Sequence, residues 1–144
     1  MLTLILAALL LAQAPSTAEK DVPVVITFVA PAYPRAARDQ RIMGTTLTRI
    51  AVNRDGVVTE VKTIRAHPVF ESYVVEALRK WRFKPSDREQ TLELTCSFDL
   101  DDKCEGTNMH PITPETHVSA ELPTVVHIRT SFPCWEVDSG QKRH

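Results

Sequence analysis

The chain has 144 residues, enough for one folded domain with extensions. Its 17 Lys and Arg against 18 Asp and Glu leave a net charge of −1, with both signs interspersed. That distribution lacks the basic patch a nucleic-acid partner requires, and the 43% apolar fraction is that of a folded protein.

In chain order, Leu2 to Ala12 form an uncharged apolar run. It is far short of the ~20 residues that span a bilayer, and reads as the core of a signal peptide occupying residues 1–18. Ser16, Thr17 and Ala18 offer a small-residue cleavage site before Glu19. No Lys or Arg precedes the run, so an upstream start and an uncleaved, membrane-attached N-terminus both stay open. No cysteine lies near the segment, and a lipid anchor is not expected.

The next stretch, Glu19 to Ala30, is rich in β-branched residues and suits an edge strand or packed arm. Pro31 and Pro34 break it, and a short helix is expected from Arg35 to Arg41, ended by Gly44 as a C′ glycine. From Gly44 the period becomes two: Thr46, Thr48, Ile50 and Val52 alternate with Thr45, Leu47, Arg49 and Ala51. Asp55-Gly56 supplies a hairpin turn, and Val57 to Ile64 returns as the partner strand. Val57, Val58 and Val61 fit no strict alternation, which predicts a bulge.

Phe70, Val74, Ala77, Leu78 and Trp81 recur at spacings of three and four, so they share one face of a helix that begins at Pro68 and ends by about Lys84 before Pro85. Arg79, Lys80 and Arg82 are placed in its last turn, and Trp81 and Phe83 are expected in the core. Thr91 to Leu100 alternates cleanly, with Leu92, Leu94, Cys96, Phe98 and Leu100 inward and Glu93, Thr95, Ser97 and Asp99 outward. After a polar loop, Glu115 to Leu122 and Val125 to Phe132 suggest a second hairpin in a C-terminal extension over residues 103–144. The order predicts an α+β sandwich, two helices packed on one face of an antiparallel sheet.

The cysteines are Cys96, Cys104 and Cys134, with no CxxC pair. Cys96 falls on an inward strand position, which leaves Cys104 and Cys134 as the expected disulfide in an oxidising compartment. The histidines, at 67, 110, 117, 127 and 144, form no HxxxH or HExxH pair. No metal site, cofactor or catalytic constellation is expected.

Residues 31–100 resemble the C-terminal domain of the TonB energy-transducer family. The matching features are Tyr33-Pro34, Ala37, Ile42 and Gly44, the alternation from Thr46 to Val52, and then Gly56, Val58 and Val61. The most specific is Trp81-Arg82-Phe83-Lys84-Pro85, which resembles the family's Trp-x-Phe-x-Pro ending to its long helix. The resemblance implies a periplasmic, non-catalytic domain over residues 19–102 that binds extended peptides of outer-membrane transporters by strand addition. It implies a binding edge at Thr91, Glu93, Thr95, Ser97 and Asp99. The ten prolines are scattered, without a proline-rich spacer, and Ala30 and Ala32 stand where well-known members carry glutamine. A stand-alone envelope interaction module is therefore the leading expectation. The rivals are the C-terminal part of a split or mis-started transducer, and a metal-binding or enzymatic periplasmic protein.

The last expectation is that the C-terminal hairpin occupies the Thr91 to Leu100 edge, filling the peptide site from within.

Overall fold

The computed structural model describes residues 22–101 and 115–131. The leader segment, Cys104, Cys134 and Phe132 lie outside the described residues.

The expected amphipathic helix forms as α2, Pro68–Arg79, with Phe70, Val74, Ala77 and Leu78 buried. His67 caps it: its Nδ1 accepts from the Val69 N–H at 3.3 Å, a role its position before Pro68 did not reveal. The helix ends sooner than Pro85 alone would require, with Lys80 as C-cap. The reason is that Arg82–Phe83 are extended, as strand β4, and pair antiparallel with β1, Val25–Thr27. The Phe83 N–H donates to the Gly56 carbonyl and the Lys84 N–H to the Val24 carbonyl, both at 2.8 Å. Arg82 is thus a strand residue, although its guanidinium reaches back to the Arg79 carbonyl at 3.0 Å.

Helix α1 is shorter than expected, Arg35–Asp39. Gly44 does not end it. Arg41 takes the left-handed position at φ +56°. The Ile42 N–H bonds to the Ala37 carbonyl and the Arg41 N–H to the Arg38 carbonyl, the paired bonds of a Schellman ending. Gly44 instead opens a strand beneath Phe70, where an added Cβ would lie 3.2 Å from the ring. Its small size serves close approach, not capping.

Strands β2 (Gly44–Val52) and β3 (Val58–Arg65) form the first hairpin. Gly56 sits at φ +82°, as the Asp-Gly pair requires. The register slips between Ala51 and Val52, which is the irregularity expected near Val57. Strand β5 (Gln90–Asp101) lies antiparallel to β2, and β6 (Thr116–Glu121) and β7 (Val125–Ser131) form the second hairpin. The five-stranded order is β3-β2-β5-β7-β6. It departs from an all-antiparallel sheet at one place: β5 and β7 run parallel. The fold is an α+β sandwich with α2 across β2 and β3, and α1 against α2.

The core lies between the helices and one sheet face. Ile50, Leu94, Cys96, Phe98, Val126 and Ile128 point into it from the strands and are essentially inaccessible. Phe70 stacks on Phe98 at 4.2 Å with 10° between the rings. Tyr33 meets both edge-on, at 5.8 and 5.6 Å.

Candidate functional site

The residues that carry the family resemblance are structural. Trp81 and Phe83 are buried. The Tyr33 hydroxyl donates to the Ile42 carbonyl at 2.6 Å, and burial, with the Asp99 charge second, pushes its pKa up to about 12. Pro34 is buried, Gly44 lies close against the Phe70 ring, Gly56 is a point of close backbone approach, and Pro85 follows the β4 pairing. None of these side chains faces an open binding surface except Pro85, which is exposed.

Function must then be sought on the sheet's wet face and its edges. On β5, Thr91 and Glu93 are exposed, and Thr95, Ser97 and Asp99 are half-buried. All five occupy the face away from the helices, as the alternation requires. Arg49 crosses from β2 to Glu93, with Nη2 at 2.6 Å and Nε at 3.2 Å from Oε1. Both side chains are about half exposed, so the pair contributes little stability.

The edge of β5 is occupied over most of its length by the C-terminal hairpin, the arrangement expected of that hairpin. Strand β7 pairs with it from Thr95↔Val125 to Asp101↔Ser131. The Thr95 N–H donates to the Thr124 carbonyl at 2.8 Å. In a parallel ladder alternate residues bond to one neighbour, so Thr95, Ser97 and Asp99 direct their backbone groups at β7. These three are not free edge residues. Thr91 and Glu93 precede the β7 ladder, and among the described residues no strand covers that part of β5. An open groove beside it is lined by Val22, Val24, Lys84, Pro85, Arg88 and Gln90.

Strand β7 brings His127 and Arg129 to the wet face, opposite Ser97 and Asp99. Ser97 Oγ and His127 Nδ1 are 2.6 Å apart. A hydrolytic site would also need a carboxylate to orient the imidazole and donors for an oxyanion. Among the described residues no carboxylate bonds to the His127 imidazole, and the pair lies on the wet face of the sheet. No group of three or more His, Cys, Asp or Glu among the described residues is placed to hold a metal ion. The alternation of β5 and β7 did not reveal their register, which the structure sets at an offset of 30 residues throughout.

The outermost strand is β6. All six of its residues, Thr116 to Glu121, are exposed, and among the described residues nothing pairs with its outer side.

The architecture defines a small helix-backed sheet domain whose outer strand edges are unpaired among the described residues. A family model described as "Gram-negative bacterial TonB protein C-terminal" matches residues 29–100, and the chain belongs to the TonB C-terminal domain family. It is 31% identical to Protein TonB of Klebsiella pneumoniae over 91 residues, covering 62% of this chain and 37% of that protein. It is 34% identical to Protein TonB of Escherichia coli K12 over 73 residues, covering 49% and 30%. The chain thus spans about a third of the length of these relatives. A solution NMR structure of the Pseudomonas aeruginosa TonB C-terminal domain is similar at a TM-score of 0.45 and 23% identity, covering 54% of this chain and 88% of that one. The family match stops at Leu100, so β6 and β7 lie beyond it.

Proposed function

We propose that the protein is an exported, non-catalytic interaction module of the periplasm, linked to outer-membrane transport, whose family peptide edge is filled from within. Family membership supports an envelope protein partner that presents an extended segment to a sheet edge. The observation that carries the self-filled reading is the β7 ladder on β5, seven residue pairs in unbroken register. Backbone groups of Thr95 to Asp101 that a visiting strand would use are already bonded. The full chain therefore binds transporter-derived extended peptides weakly at β5.

The test is titration of extended outer-membrane transporter peptides into the full chain and into a chain truncated after Asp102. Circular dichroism establishes that the shorter chain is folded. Tighter binding by the truncated form is expected, and equal affinity in the two would overturn the self-filled reading. Export rests on residues 1–18 acting as a signal peptide. Mass spectrometry of the exported protein should find cleavage after Ala18, whereas a mature mass retaining Leu2 to Ala12 would contradict it.

A further inference from the structure

We propose that β6 is a self-association edge, through which two copies pair antiparallel about a two-fold axis centred on Ser119. This inference is independent of any peptide at β5.

Covering β5 with β7 does not remove the sheet's edge; it moves the edge to β6. The two ends of the sheet are not alike. The far strand, β3, is interrupted by register slips and carries Glu60, Lys62 and Arg65, the charges and irregularities that blunt an edge against pairing. Strand β6 pairs with β7 without a slip, and Thr116 to Glu121 contains no Lys, Arg or Pro. It is a regular edge without those safeguards.

Its hydrogen-bond alternation is fixed by the inner side. The Ser131 N–H donates to the Glu115 carbonyl at 3.1 Å, so these two form a bonded antiparallel pair. Two-residue alternation then turns His117, Ser119 and Glu121 toward β7. The N–H and C=O groups of Thr116, Val118 and Ala120 point outward, and they are the groups a new strand must meet.

A second copy meets them in only certain registers. Bonded residues must oppose bonded residues, so the two-fold axis passes through a residue and not between two. Centred on Val118, the pairing sets Glu115 against Glu121 of the second copy, a like-charge contact. Centred on Ser119, it sets His117 against Glu121 of the second copy, twice by symmetry. It also opposes Val118 with Ala120 of the second copy. Val118, now 42% exposed, would then join one apolar row continuing past the helix-covered core. Val118 is on that side because it opposes the buried Ile128. The strand's own sequence thus supplies polar and apolar complementarity to itself.

The pairing is small beside a standard interface, so a dissociation constant in roughly the micromolar range is expected. The experiment is sedimentation of the full chain in reducing buffer, where a cystine link cannot mimic the dimer. Ala120→Pro removes an outward N–H while sparing the bonds to β7, and proline is tolerated at such an edge position. It should weaken the dimer at least about tenfold, with the thermal melt retained. His117→Glu should weaken it several-fold by setting like charges face to face, and adding Glu121→Lys should restore it, because the second change sets opposite charges there. The restoring pair does not depend on how well the proline variant folds. A chain that stays monomeric across roughly a hundredfold range of concentration overturns the proposal. So does a dimer indifferent to both sets of variants, or a monomer whose β6 pairs with a transporter peptide instead.

Discussion

The Trp81 indole N–H donates to the carbonyl of Val29 at 2.8 Å, across 52 positions of chain. The bond joins the end of α2 to the N-terminal arm, and Phe28 adds a ring contact at 5.2 Å. Trp81 is wholly inaccessible and has its one polar atom satisfied. Trp81→Ala should cost about 3–5 kcal/mol in denaturant unfolding, as large aromatic deletions in cores do. Trp81→Phe keeps much of the ring volume but leaves the Val29 carbonyl without this donor, and should cost about 1–3 kcal/mol. A loss below about 1 kcal/mol for Trp81→Ala would mean that the indole is not a core group.

Gly56 serves two constraints at once. Its φ of +82° disfavours any side chain, and an added Cβ would stand 1.9 Å from the Phe83 carbonyl oxygen. That approach is tight because Gly56 O accepts the Phe83 N–H at 2.8 Å. Gly56→Ala should destabilise by on the order of 3 kcal/mol, combining left-handed strain with a displaced β4. Gly56→Asn separates the two causes, since Asn tolerates positive φ but still carries a Cβ. Chemical denaturation should find both variants weakened. A nearly neutral Asn variant would show that strain alone acts and that β4 yields freely.

Periodicity made the framework readable: Phe70, Val74 and Leu78 at helical spacing, and Thr46 to Val52 and Leu92 to Phe98 at period two, all turn the buried side inward. Chain order and the Trp81 to Pro85 motif pointed to the family. The helix ends were misread because tertiary partners decide them. Phe83 is drawn out of the helix by Gly56 and the β1 arm, and Arg41 ends α1 with a residue whose sequence carries no glycine signal. That the second hairpin covers the β5 edge was readable, but not which of its strands lies there or in which direction it runs. Alternation says which face a residue takes and nothing about which strand lies beside it. The parallel direction of β7 depends on the path between Asp101 and Thr116, which has no periodicity to read.

Cys96 shows how burial governs thiol chemistry. It is inaccessible on β5 between β2 and β7, and desolvation pushes its pKa up to about 11, partly offset by a hydrogen bond with Thr46. The folded pKa exceeds the ordinary thiol value, so the fold favours the neutral form. Its contribution to stability is whole below about pH 9 and is lost as pH rises through about 11. Tyr33, raised to about 12, adds a loss of the same sign at higher pH. Stability measured by unfolding from pH 8 to 11 should therefore decline less steeply in Cys96→Val than in the parent. Equal slopes would show that the thiol ionises without penalty.

The register between β5 and β7 bears on the two cysteines outside the described residues. At each of the seven paired positions, from Thr95↔Val125 to Asp101↔Ser131, the offset is 30 residues. Cys104 and Cys134 are also 30 residues apart, each three positions beyond the last pair. Residues paired at this offset on parallel neighbours are about 4.8 Å apart, within the roughly 4.4–6.8 Å between Cα atoms that a disulfide requires. Cys96, by contrast, opposes Val126 and is sealed in the core. We therefore expect a Cys104–Cys134 bond in exported protein, formed as the two thiols give up two protons and two electrons to an envelope thiol oxidant. Closing a loop of this length should stabilise by on the order of 3 kcal/mol, chiefly through the denatured state. It would also hold β7 against β5 where the self-filled edge ends. Peptide mapping without reduction should recover the linked pair and a single free thiol at Cys96. Reduction, or Cys134→Ser, should lower the melting temperature and loosen hydrogen-exchange protection along Thr95 to Asp101. A link through Cys96, or three free thiols in exported protein, would sink the expectation.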